Sequence, residues 1–228
     1  MSQKKSPATK YLVLFGIICF PIVVWFLLLT GKNNYVPLPI LGNYSVDSTL
    51  VNGKYKVDTI YPTIPDFTMV NQDGKTITQN EIKGKIYVTD FFFASCPSFC
   101  PKLTNGLKEV YDKFNKVDDF MIVSYTVDPD KDSVPVLKDY AKKYGAETNR
   151  WMFLRGDKKQ IHDLSLSYLM IPPDTIKDKQ QNIQHSPYYV LVDKEKHIRG
   201  IYDGTVPGML DSLEGDITYL VRQYHTKK

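Results

Sequence analysis

Ile86-Tyr87-Val88-Thr89-Asp90-Phe91-Phe92-Phe93-Ala94-Ser95-Cys96-Pro97-Ser98-Phe99-Cys100-Pro101 is the stretch on which the fold turns. Its first half, Ile86 to Phe93, is rich in β-branched and aromatic residues and reads as a buried central strand. Pro101 then opens a helix that places Leu103, Leu107, Val110, Tyr111 and Phe114 on one face. The two cysteines lie where strand passes to helix, and in open α/β sheets chemistry collects at the carboxyl ends of strands.

Working outward, the same alternation recurs. Asn71-Gln72-Asp73-Gly74 reads as a turn between two short strands, and Phe120 to Val127 as a second buried strand. Val136, Leu137, Tyr140, Ala141 and Tyr144 mark a helix closed by Gly145. A short strand follows at Trp151 to Leu154, then a helix through Ile161, Leu164 and Tyr168. Tyr188–Val192 and Ile198–Tyr202 form a hairpin, and Met209, Leu210, Leu213, Ile217, Leu220 and Val221 mark a terminal helix. This order is that of an α/β, thioredoxin-like domain, a central mixed sheet flanked by helices, expected over residues 63–228.

The N-terminal part differs in kind. Tyr11 to Thr30 carries no charge and is apolar all round. Twenty residues at ~1.5 Å rise give ~30 Å of helix, the thickness of a bilayer core. Lys4, Lys5 and Lys10 precede it, which places residues 1–10 in the cytoplasm and the rest outside. The expectation is a single-pass inner-membrane protein with a transmembrane anchor at 11–30. A clear small-x-small cleavage site is absent, so a removed signal peptide fits less well. Residues 31–62, with Val36-Pro37-Leu38-Pro39-Ile40, read as an extracytoplasmic spacer that lifts the domain off the membrane. A net charge of +4, with no basic run in the body of the chain, argues against nucleic acid as a partner.

Cys96 and Cys100 are the only cysteines of the exported part. Outside the cytoplasm such a pair is a disulfide, a redox pair or a metal site, and the count alone does not choose. Placement at a helix N-terminus favours lowered thiol pKa values, and thiolates favour Cu(I), zinc or iron–sulfur centres. Among the four histidines, His225 lies in the tail, His197 begins a hairpin strand and His162 sits on a helix. His185 stands out: it ends a polar loop, Lys177 to Gln184, just before the Tyr188–Val192 strand.

These residues resemble the Sco/SenC copper proteins of cytochrome c oxidase assembly. Phe92 to Pro101 is similar to the family's CxxxCP signature, Val123 to Asp132 to its VDPxxD segment, and Gln184-His185-Ser186 to its metal histidine followed by Ser or Thr. The resemblance implies copper, Cu(I) or Cu(II), bound by Cys96, Cys100 and His185, with Asp128 as an accessory residue or simply a turn residue before Pro129. It implies a metallochaperone rather than an enzyme in the strict sense, one that delivers copper to, or reduces the cysteines of, the binuclear copper site of a cytochrome oxidase subunit. Other copper carriers or thiol reductants would be further partners. Gln184 departs from the Asp common in the family, and Ser186–Pro187 is expected to be cis.

Two other chemistries suit the same fold. In a thiol–disulfide oxidoreductase without obligatory metal, Cys96 and Cys100 would be catalytic and His185 surplus. Peroxide reduction needs an Arg beside the reactive thiol, and no Arg falls between Phe67 and Asn149.

Overall fold

The Ile86–Phe92 strand is buried at every position, because a strand in the middle of a sheet covered on both faces meets no water. A computed structural model describes residues 7–30, 37–51, 54–96, 100–169 and 187–226. The chain divides into two compact units, Met1–Pro37 and Leu38–Lys228.

The first unit is helix α1 (Pro7–Thr30), with Pro21 inside it. Its described side chains are almost all exposed, among them Phe15, Phe20, Trp25 and Phe26. Side-chain description covers Tyr11 and the run 13–26, and within the described residues no helix is long and apolar enough to cross a membrane.

The second unit opens with an antiparallel ribbon, β1 (Ser45–Val51) and β2 (Lys54–Ile60), in register from Ser45↔Ile60 to Val51↔Lys54. The stretch read as a spacer therefore contains a hairpin, and its residues 38–41 are bonded to the domain. Then come β3 (Thr68–Asn71), β4 (Thr76–Thr78), α2 (Gln79–Ile82), β5 (Ile86–Phe92), α3 (Cys100–Phe114), β6 (Phe120–Thr126) and α4 (Val134–Lys143). The chain continues with β7 (Trp151–Arg155), α5 (Lys158–Leu169), β8 (Tyr188–Val192), β9 (Ile198–Asp203) and α6 (Met209–Thr226). The main sheet runs β4-β3-β7-β6-β5-β8-β9. Its centre, β5, β6 and β7, is parallel, while β8 and β3 pair antiparallel on either side. This is the expected thioredoxin-type mixed sheet.

Period-two alternation splits the core between the two faces. Ile86, Val88 and Phe92 of β5, with Ile122 of β6 and Phe153 of β7, pack with Leu107 of α3, Leu137 of α4 and Leu213 of α6. Tyr87, Phe91, Val123 and Leu154 face the other way, onto Ile161 and Tyr168 of α5. Gly145 takes φ +64 just past α4, and the amide of Ala146 reaches back to the carbonyl of Ala141 at 3.0 Å, as a left-handed helix stop requires.

Two features position the site. Parallel pairing of β5 with β6 brings Phe92 opposite Thr126, so the cysteine loop and the Asp128–Asp132 loop leave the sheet side by side. The antiparallel register Tyr87↔Val192 to Thr89↔Val190 makes β8 begin beside the end of β5. Pro187, immediately before β8, is pinned by the amide of Gly204 to its carbonyl at 2.8 Å.

Candidate functional site

Both cysteines of the domain are buried and carry thiols. Cys96 closes a turn, its amide bonding the carbonyl of Phe93 at 3.3 Å, and Cys100 is the first residue of α3. The Cys96 side chain lies near enough to that of Cys100 to act on its thiol. The strand-to-helix junction thus holds the two buried cysteines as neighbours.

The thiol of Cys100 does not follow the helix-terminus expectation. Burial, joined by the neighbouring Cys96 thiol and the negative potential of Asp90, pushes it up to about 12, against a hydrogen bond from the backbone of Phe93 that works the other way. A half-charge at a helix end is worth ~0.3–1 kcal/mol, less than the cost of placing a bare thiolate in an apolar pocket. Cys100 therefore keeps its proton at neutral pH until a cation or an oxidant takes its place.

Three side chains hold this corner together. Asp132, buried, accepts the amide of Ala94 at 3.0 Å and also the hydroxyl of Thr126. It ties the start of the cysteine loop to the end of β6. Thr104, one turn into α3, donates to the carbonyl of Cys100 at 2.9 Å and meets the hydroxyl of Tyr140 at 2.8 Å. The third, Asp90, lies on the face of β5 that carries Val88 and Phe92, 3% exposed. Ser124, its cross-strand partner, lies beside it and works against the effect of burial, and the indole of Trp151 donates to Ser124 at 3.0 Å. The other carboxylate oxygen, Oδ1, meets no donor among the described residues. Burial pushes the carboxyl of Asp90 up to about 7.

The remaining expected site residues are distributed as follows. His185, with Gln184 and Ser186, lies outside the described residues, as do Pro97 to Phe99 and the Ser186–Pro187 peptide bond. Asp128 accepts Lys131 at 2.9 Å, and its own amide bonds Thr126 Oγ1 at 3.1 Å, so its carboxylate is engaged in the turn. Asp132, four residues on, is the residue that touches the cysteine loop. The other histidines sit elsewhere: His162 Nδ1 lies 3.7 Å from Asp163, His197 packs edge-on to Tyr61, and His225 Nε2 lies 3.5 Å from Asp119.

A second cluster, Asp193, Glu195 and His197, brings three potential ligand atoms within 4.8 Å of one another. Asp193 is already saturated there. It accepts the amides of Glu195 and His197 at 3.0 and 2.9 Å and the guanidinium of Arg199 at 2.8 Å. Arg199 also donates to the carbonyls of Pro39, at 3.1 Å, and Leu38. The cluster braces the β8–β9 turn and straps residues 38–41 onto β9.

Two neighbouring buried sulfurs suit a soft monovalent cation or a disulfide. A family model described as SCO1/SenC matches residues 58–211. The SCO1 protein homolog of Bacillus subtilis (strain 168) is 28% identical over 167 residues, 72% of this chain and 86% of the relative. Among solved structures, BsSco, a member of the Sco family of cytochrome c oxidase assembly proteins in which a disulfide switch was identified, superposes with a TM-score of 0.58 at 26% identity. It covers 70% of this chain and 93% of its own. Copper-bound ScoI of Arabidopsis thaliana gives a TM-score of 0.57 at 25% identity over 72% of this chain and 100% of that one.

Proposed function

The chain belongs to the SCO1/SenC family, and from that premise we propose that it is a membrane-anchored copper-binding protein of cytochrome c oxidase assembly, presenting Cys96, Cys100 and His185 to the metal. The observation that carries this reading is that Cys96 and Cys100 are both buried at the head of α3, with the Cys96 side chain near enough to act on the Cys100 thiol. Two thiolates are the donors a Cu(I) ion prefers. His185 completes the set because β8, which it precedes in sequence, begins beside the strand that delivers the cysteines. Copper here is cargo: it enters as the two thiols give up their protons, and it leaves for the binuclear copper site of an oxidase subunit. Asp132 and Thr104 hold the loop and the helix end in place while this happens; Asp128 contributes through its turn.

The anchor is residues 11–30, with 1–10 in the cytoplasm and the domain on the extracytoplasmic side. Its support is the uncharged apolar run and the lysines that precede it.

Anaerobic titration of the purified protein with Cu(I) against a chromophoric chelator tests the site. One equivalent is expected to bind. Cys96→Ser is expected to abolish tight binding, and His185→Ala to weaken it at least tenfold. Parent-like affinity in His185→Ala would remove the three-ligand site.

A second reading draws on the same contact. Two neighbouring thiols at a strand-to-helix junction can cycle between dithiol and disulfide, so the pair also suits reduction of a partner's cysteines. A pair potential far more reducing than its compartment, together with weak Cu(I) binding, would favour that role.

A further inference from the structure

The β1–β2 ribbon is out of keeping with the rest of the domain. Its register puts Val46, Ser48 and Leu50 on one face with Thr59, Val57 and Tyr55 opposite them; the pairs Ser45↔Ile60, Asp47↔Asp58, Thr49↔Lys56 and Val51↔Lys54 fall on the other face, which carries the ribbon's charges. The first face is apolar and open to solvent: Val46 is 59% exposed, Leu50 63%, Tyr55 75% and Val57 62%. A two-stranded hairpin is marginal in water unless a third strand, a helix or another body covers its apolar side. The ribbon is joined to the domain at its root, where Tyr44 packs near Tyr61 and Tyr61 meets the ring of His197.

We propose that the apolar face of this ribbon rests in the lipid headgroup region of the bilayer that holds residues 11–30. The inference rests on the anchor reading given above. Three observations select lipid as the occupant.

The first is chain length. Arg199 holds Leu38 and Pro39 on the domain, so only residues 31–37 separate the end of the apolar run from a fixed point beside the ribbon root. At ~3.6 Å per residue that tether spans about 25 Å at most.

The second is area. Seven residues per strand at ~3.3 Å rise, by ~10 Å of ribbon width, give a face of roughly 230 Å². That is far below the ~800 Å² per partner of a stable protein interface. A second copy held by this face alone would dissociate. A membrane to which the chain is already tethered needs only weak affinity, because the tether sets a high effective concentration.

The third is chemistry. Tyr44 and Tyr55 offer amphipathic rings of the kind that settle at a membrane–water interface, and Val46, Leu50 and Val57 are apolar without charge between them on that face. The charged pairs on the opposite face remain in water.

The test uses the full chain reconstituted in phosphatidylethanolamine–phosphatidylglycerol vesicles with and without brominated acyl chains. The chain has two tryptophans, Trp25 and the core residue Trp151. In the parent, quenching of Trp25 reports the anchor. In a Trp25→Phe background, Tyr55→Trp reports the ribbon, with Trp25→Phe alone as the blank for Trp151. The expected result is blue-shifted emission from position 55, quenched at least twofold by brominated lipid. Adding Val57→Asp should abolish that quenching while Trp151 emission and the unfolding midpoint stay as in the parent.

Quenching of Trp25 with water-like emission from position 55 overturns the ribbon inference and leaves the anchor standing. No quenching of Trp25 removes the anchor and the inference together. Emission from position 55 that follows protein density instead of brominated lipid also overturns it, in favour of a second copy.

Discussion

Two buried aspartates, Asp90 on β5 and Asp193 in the turn that follows the neighbouring β8, live in opposite circumstances. At the β8–β9 turn, Asp193 has every acceptor in use: two backbone amides and the guanidinium of Arg199. At the cysteine end, Asp90 has Ser124 and an oxygen that meets no donor among the described residues. Buried charge is tolerable only when paired, because desolvation otherwise outweighs what the site returns. The turn obeys that rule. The cysteine end departs from it, and the departure falls beneath the two thiols that carry the proposed chemistry.

The sharpest way to break this contrast is at the saturated end. Arg199→Met leaves Asp193 buried without its cation and frees the carbonyls of Leu38 and Pro39. A loss of about 3–5 kcal/mol is expected, read as a fall in the denaturant midpoint. A loss below about 1 kcal/mol would mean that the pair is not desolvated as its burial indicates.

Asp90 should respond in the opposite direction and with a pH signature. Its folded pKa of about 7 lies above the ordinary 3.8. Below pH 4 the carboxyl is protonated in both states and its ionisation affects nothing. Between 4 and 7 the unfolded chain ionises first, so stability falls as pH rises, by up to about 4 kcal/mol in all, and above 7 the penalty is constant. Asp90→Asn should therefore be close to neutral near pH 4 and stabilising by up to that amount at pH 8. A gap between variant and parent that stays flat across this range would show that Asp90 carries no such penalty.

Much of this arrangement was legible in the sequence, and the exceptions have physical causes. β5 and β6 could be read almost to the residue because apolar, β-prone runs bounded by turn residues leave little freedom. That Cys96 and Cys100 are neighbours follows from their spacing across a strand-to-helix junction. Asp90 and Asp132 were not singled out, since an aspartate inside a strand or loop looks the same whether or not it is buried; only the tertiary fold decides. The accessory role went instead to Asp128, the more prominent member of the same segment. The raised Cys100 thiol was missed for the related reason that a helix-end argument counts local dipoles and not desolvation. The β1–β2 ribbon escaped because its strands carry Ser, Asp and Thr among their apolar residues, although Asn52-Gly53 is the strongest short hairpin signal in the chain.

The smallest effect belongs to the residue that joins the two loops. Asp132→Asn keeps the shape and the contact to Ala94 but exchanges a charged acceptor for a neutral one. A hydrogen bond to a charged group is worth ~1.5–3 kcal/mol and a neutral one about 1, so a loss of ~1 kcal/mol in stability is expected. If Asp132 acts by positioning the cysteine loop, the cost should also reach the metal: Cu(I) affinity should fall severalfold, because the loop that carries Cys96 is no longer held as firmly to β6. Asp128→Asn, four residues earlier in the same loop and engaged with Lys131, serves as the paired control and should leave Cu(I) affinity within twofold of the parent. Equal losses in both variants would show that the segment acts as a whole. A loss confined to Asp128→Asn would return the accessory role to that residue and confine Asp132 to stability.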